Sequence, residues 1–244
     1  MAGKLFVTGD LHGEIDGRII SSKKWPEGKT LDRDDVLLVC GDFGFWWDES
    51  RNDYYWRDWL ESKPFTIAFC EGNHDNQPLL ERNPTVEKWG ADVKQLRDNI
   101  FWLRRGRVYD INGVSVFAFG GATSSDKEKR NAYVTWWPEE VPTYGEWMIG
   151  ETNLDVRNWQ VDIVISHTLP TCMKDEAFKL IQEERGFMQP IEDPTEAMLQ
   201  AYYEKTHFLA WFAGHFHTNA LLSDGKTRVV YQRVLDVKHL LMRD

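Results

Sequence analysis

Aspartate, asparagine and histidine recur at one kind of place in this sequence, directly after short apolar runs. Asp10 and His12 follow the first run, Asp42 the second, Asn73, His74 and Asp75 the third, His167 another, and His215 with His217 the last. Five of the seven histidines fall there, leaving His207 and His239 elsewhere. Loop capping explains Asp and Asn after glycine, but it gives no reason for so many imidazoles; binding of divalent metal does. Asp10 and His12 are two residues apart, as are His215 and His217, so each pair can project from one side of an extended segment and bite a metal. Asn73 and His74 are adjacent and point apart, so one can bind metal while the other faces a substrate. Carboxylates, imidazoles and one amide oxygen suit Mn, Fe, Zn, Co or Ni better than Ca or an all-oxygen Mg cage. The set suffices for two ions if one carboxylate bridges them.

The elements that position these residues are strands. Leu5 to Gly9, Val36 to Gly41, Phe65 to Gly72 and Phe208 to Gly214 are continuous apolar runs that stop at glycine, and Val161 to Ser166 stops at His167 without one. Unbroken hydrophobicity predicts strands covered on both faces, and a terminal glycine lets the backbone turn and approach a ligand closely. Helices are expected over Asn52 to Ser62, Gly145 to Asn158, Lys174 to Arg185 and Pro194 to Thr206, the last opened by an Asp193 cap and Pro194. Ile100 to Gly120, with Asp110-Ile111-Asn112-Gly113 inside it, and Leu221 to Val234, with Ser223-Asp224-Gly225-Lys226, read as antiparallel hairpins. The expected fold class is therefore α/β (α+β), with mixed sheets packed together, helices outside, and ligands gathered beyond the carboxyl ends of the strands.

Composition sets the outer limits. The chain has 244 residues with no internal repeat or linker and is read as a single domain over residues 1–244. The two helices expected between Thr168 and His207 read as an insertion that caps the site, with a dimer contact in a homo-oligomer as the other use. Hydrophobic residues make up 42% and charged residues 28%, which are globular values. No apolar run reaches the roughly 18 residues of a membrane span, and the amino terminus carries no leader pattern, so a cytoplasmic protein with no membrane partner is expected. Twenty-nine basic against 39 acidic residues leave a net charge of −10, which disfavours long duplex nucleic acid. Cys40, Cys70 and Cys172 are odd in number, the first two lying inside apolar runs as small buried hydrophobes do. Trp46 and Trp47 follow Asp42 closely; they are core residues or a wall on which a planar base stacks. Arg104, Arg105 and Arg107 read as surface.

In order along the chain, Gly9-Asp10-Leu11-His12, Gly41-Asp42, Gly72-Asn73-His74-Asp75, His167 and Gly214-His215-Phe216-His217 resemble the five motif blocks of the calcineurin-like metallophosphoesterases. The blocks span nearly the whole chain. The resemblance implies two mixed β-sheets packed as a sandwich flanked by helices, and a dinuclear site at one edge. By the same resemblance Asp10, His12, Asp42 and His217 hold one ion, Asp42 bridges, and Asn73, His167 and His215 complete the second. Manganese is the first choice of metal. His74 would protonate the leaving oxygen, with Asp75 orienting its ring. Two divalent ions would make a positive phosphate trap inside an acidic protein and supply hydroxide for in-line attack.

The activity so implied is hydrolysis of a phosphomonoester or phosphodiester of a small phosphorylated, nucleotide-like substrate. Lys127 and Arg130, in the polar loop after Gly120-Gly121, are candidates to hold a second anionic group. The Gly9-Asp10-Leu11-His12-Gly13 opening looks like that of protein phosphatases. Those relatives follow GD with a VDRG-like segment, where this chain has Phe43-Gly44-Phe45-Trp46-Trp47, and usually close the third block with Glu rather than Asp75. A nuclease acting on nucleic-acid ends and a protein phosphatase are the alternatives, ahead of a scaffold without catalysis.

Overall fold

The structure is a computed structural model that describes residues 3–185 and 191–242. Among these described residues the strands run in chain order as β1 (Leu5–Thr8), β2 (Val36–Cys40), β3 (Thr66–Cys70), β4 (Thr85–Lys88), β5 (Ala91–Arg97), β6 (Ile100–Leu103), β7 (Arg107–Ile111), β8 (Val114–Phe119), β9 (Ile163–Ser166), β10 (Ala210–Ala213), β11 (Ala220–Leu221), β12 (Thr227–Val229) and β13 (Leu235–Asp236). The helices are α1 (Arg51–Glu61), α2 (Gln77–Glu81), α3 (Tyr144–Val156), α4 (Thr171–Arg185), α5 (Pro194–Lys205) and α6 (Val237–Leu241). The strands make two mixed sheets, ordered β13-β1-β2-β3-β6-β5-β4 and β11-β12-β10-β9-β8-β7.

Alternation along each central strand separates the layers. Leu5 and Val7 of β1, Leu38 of β2 and Ala68 of β3 meet Val116, Ile163 and Phe212 of the other sheet in a shared core. Phe6, Val39 and Phe69 point the opposite way, onto Trp56 and Leu60 of α1. On the outer face of the second sheet, Phe117, Val164 and Trp211 are covered by Leu154 of α3 and by Leu199 and Tyr202 of α5. Strands buried on both faces are apolar throughout, which is why these segments read as unbroken runs. Helix starts follow the expected chemistry. Ser50 accepts from the Asp53 amide at the head of α1, Thr143 and Glu146 form a reciprocal capping box on α3, and Asp193 caps α5 ahead of Pro194.

Two details depart from the sequence reading. The segment from Ile100 to Gly120 is split between sheets: β6 lies between β3 and β5 in the first, and only β7 and β8 form the hairpin. Its turn residues Asn112 and Gly113 both have positive φ, as a tight hairpin requires. Arg105 is buried rather than on the surface; it ion-pairs with fully buried Glu71 and with Glu146 of α3. In the 168–207 stretch, Met173, Ala177 and Ile181 of α4 pack on Ala213, Phe216 and Val229, and Leu199 and Tyr202 of α5 pack on the second sheet. Residues 186–190 lie outside the described residues. No helix among the described residues is long and apolar enough to cross a membrane.

Candidate metal centre

β1, β2 and β3 are mutually parallel, as are β8, β9 and β10. Their carboxyl ends therefore deliver the Asp, Asn and His residues to one edge of the sandwich. The chain leaves these strands through left-handed backbone: Asp10 (φ 51°), His12 (φ 43°), Asp42 (φ 49°), His215 (φ 66°) and His217 (φ 49°) all have positive φ. Such conformations are unfavourable for residues with a Cβ and concentrate at functional sites. They also correct the spacing argument. Asp10 and His12, like His215 and His217, converge through left-handed turns and not through an extended segment. Close approach depends on glycine, since a Cβ on Gly214 would lie 2.6 Å from Asp10 Oδ2 and one on Gly72 would collide with the Asp42 carboxylate.

Asp10, His12, Asp42 and His217 each turn a ligand atom into one space, all within 4.8 Å of one another. Asp42 Oδ2 is 3.1 Å from His12 Nε2, while its Oδ1 is 3.2 Å from His167 Nε2. His167 Nε2 also lies 3.0 Å from Asn73 Oδ1 and 3.2 Å from His215 Nδ1. One carboxylate thus stands between two groups of donors. The imidazoles are held from behind: His12 Nδ1 meets Asp16 at 2.8 Å, and His167 Nδ1 donates to the Cys40 carbonyl at 2.9 Å. Because a carbonyl only accepts, that bond holds a proton on Nδ1 and leaves Nε2 as the inward-facing ligand atom.

The residues fit a cation. Asp10 is completely buried and its Oδ2 has no hydrogen-bond partner among the described residues, a costly state for a carboxylate unless a positive group compensates it. Burial, then Asp42, pushes the Asp10 carboxyl well above its usual range. Burial would do the same to Asp42, but His167, His74 and His12 around it hold it well below. Burial works against a proton on His12, yet Asp42 and Asp10 push that ring up to about 9. Burial, followed by repulsion from His167, pushes His215 down to about 3.

His74 lies across the cluster, its ring 5.7 Å from that of His12. Its amide donates to Asp42 Oδ1 at 2.8 Å, and the Arg130 guanidinium spans its ring, 2.9 Å from Nδ1 and 3.3 Å from Nε2. Burial and Arg130 lower its pKa in spite of Asp42. Asp75 has other partners than that ring: it accepts the amides of Phe43 (3.1 Å), Gly44 (2.7 Å) and Gly72 (2.7 Å), tying the second block to the third. Burial, then Asp42, pushes its carboxyl up to about 7.

A cleft of about 800 Å³ opens from this edge, lined by His12, His74, His217 and Arg130 and also by Trp47, Trp56, Glu14 and Asp48. Trp47 is half-buried and forms wall, whereas Trp46 is core, stacked on Phe43. Lys127 is exposed on a short 3-10 turn and does not line the cleft, and neither does any described residue between 168 and 207. The sequence reading missed Asp16, Ser124 and Glu140. Only Asp16, four residues after His12, had a positional signal.

The family model of calcineurin-like phosphoesterase matches residues 3–219, and the chain belongs to that family. It is a metal-dependent phosphoesterase, a hydrolase. Among solved structures, that of a phosphopantetheinyl hydrolase from Mycobacterium tuberculosis is similar at 15% identity and a TM-score of 0.41, over 95% of this chain and 91% of that one. No curated protein matches the chain.

Proposed function

We propose that this phosphoesterase is a dinuclear enzyme that hydrolyses a small phosphate ester whose organic part is uncharged or cationic. The reading rests on Asp42, whose two oxygens face separate donor groups at 3.1 and 3.2 Å. Asp10, His12, Asp42 and His217 hold one ion; Asp42, Asn73, His167 and His215 hold the other. The donors mix carboxylate, amide oxygen and imidazole, which suits Mn, Fe, Zn, Co or Ni; manganese is the first choice by the family resemblance. When bound, such a pair clamps a phosphoryl group and supplies the attacking hydroxide.

The chain's own residues do the remainder. Arg130, which lines the cleft against the His74 ring, donates to a phosphate oxygen. His74, beside it, gives a proton to the leaving oxygen; the negative charge of the bound ester offsets the Arg130 repulsion and restores that proton. Glu14 and Asp48, which line the same cleft with Trp47 and Trp56, are exposed carboxylates. A second phosphate would meet like charge there, which favours a compact ester over a polyphosphate or a nucleic-acid end. Lys127 has no part in this reading.

Turnover of p-nitrophenyl phosphate and of its bis-ester, with added Mn²⁺ and after chelation, tests the reading. Hydrolysis of one or both that collapses on chelation and returns with Mn²⁺ is expected. Absence of metal-stimulated turnover on both esters would overturn the small-ester reading.

A further inference from the structure

Asn73 presents a problem that the carboxylates and imidazoles do not. A primary amide can ligate a cation only through its oxygen, and turned by half a rotation it offers two N–H donors instead. The orientation is decided behind it. Asn73 Nδ2 donates to Ser124 Oγ at 3.2 Å, and Ser124 Oγ donates to Glu140 Oε2 at 2.5 Å. The Ser124 amide donates to the other Glu140 oxygen at 2.8 Å. All three residues are buried, with exposures of 4%, 1% and 1% for Asn73, Ser124 and Glu140.

The polarity of this chain follows from its end. A carboxylate only accepts, so Glu140 takes both protons that Ser124 has to give, and Ser124 Oγ can only accept from Asn73. The NH2 group is thereby drawn outward and Oδ1 turned inward. There it lies 3.0 Å from His167 Nε2, itself 3.2 Å from Asp42 Oδ1. Three ligand atoms stand side by side, an arrangement a shared cation suits.

We propose that Ser124 and Glu140 are positioning residues that lock the Asn73 amide oxygen-inward and so set the affinity of the second ion site. This rests on Asn73 being a ligand there. Ser124 arrives from the loop after β8 and Glu140 from a 3-10 turn at Pro138–Glu140, so two segments outside every motif block hold a motif residue.

Glu140→Gln is the discriminating variant, being the same size. Its amide can donate to Ser124 Oγ, freeing the hydroxyl proton for Asn73 Oδ1 and turning the NH2 group inward. Calorimetric titration of chelated protein with Mn²⁺ should give two ions in the wild type. In Glu140→Gln and in Ser124→Ala the second should weaken by roughly 10- to 100-fold, as loss of ligand support typically does, with the first within about twofold. In an Asn73→Asp background, where a carboxylate has no wrong face, Glu140→Gln should cost the second ion nothing.

Wild-type affinities in both Glu140→Gln and Ser124→Ala would overturn the proposal. So would equal weakening of both ions, or a lower melting point of the chelated Glu140→Gln protein with the same loss in the Asn73→Asp background, since these mark a general packing role. Retention of two tight ions in Asn73→Ala would instead remove Asn73 as a ligand, which is a separate failure.

Discussion

The Asp42 carboxylate faces four kinds of neighbour at once: His12 at 3.1 Å, His167 at 3.2 Å, the His74 amide at 2.8 Å, and the backbone of Gly72 pressed against it. Removing it leaves imidazoles without their common partner, so Asp42→Ala is expected to lose both metal occupancy and turnover, read by elemental analysis and by rate. His74 differs, since it lies beside the cluster and touches Arg130. His74→Ala should keep the metals and lose on the order of 100- to 10,000-fold in rate, the usual contribution of acid-base catalysis. The loss should be greater for an alkyl ester than for p-nitrophenolate, which leaves without a proton. Full activity of His74→Ala towards the alkyl ester would remove the acid role. At this scale sequence was informative because each motif residue is short and follows its strand directly. Asp75 was less legible: its type fitted a ring partner, but three backbone amides from two loops reach it first.

Elements set how closely those residues approach. Gly72 ends the segment after β3, and a methyl group there would strike the Asp42 carboxylate and amide and the His167 ring. Gly72→Ala should therefore weaken metal binding and lower stability by about 1–3 kcal/mol, the usual cost of overpacking a filled space; chemical denaturation of chelated protein and metal titration would measure the two effects separately. Away from the site, Lys174 of α4 pairs with Glu196 of α5 at 2.7 Å. Burial nevertheless pushes the Glu196 carboxyl up to about 7. A carboxyl with a raised folded pKa holds a proton that the unfolded chain has released, so its contribution to stability is complete below about 4.5 and is lost as pH rises through about 7. Glu196→Gln should flatten the fall in stability between those values, and a carboxyl NMR titration with a midpoint near 4.5 would contradict the shift. β6 shows why sheet membership was harder to read than strand position: the sequence marks an apolar strand, but parallel pairing with β3 is a non-local choice.

For the whole molecule, the acidic surface and the metal centre work against each other. A net charge of −10 repels phosphate, and metal bound at Asp10 and Asp42 would reverse the sign locally. Ions that bind only the folded chain stabilise it by about 2.7 kcal/mol each at a hundredfold excess over Kd, or roughly 5–10 °C for a chain of this size. Chelation should lower the melting temperature by at least that amount and Mn²⁺ should restore it; a melting point indifferent to both would argue that the edge holds no tight ion.

What the sequence by itself determined was the set of chemical groups and the strands that carry them, because apolar runs buried on both faces and glycine-ended loops leave local signatures. Tertiary structure alone decided which partners hold those groups in place. The Cys40 carbonyl behind His167, Glu140 and Ser124 behind Asn73, Arg130 over His74 and Glu71 beneath Arg105 are contacts across loops and sheets. Such pairings depend on how two sheets pack and where loops cross, and no periodicity or spacing along a single chain encodes them.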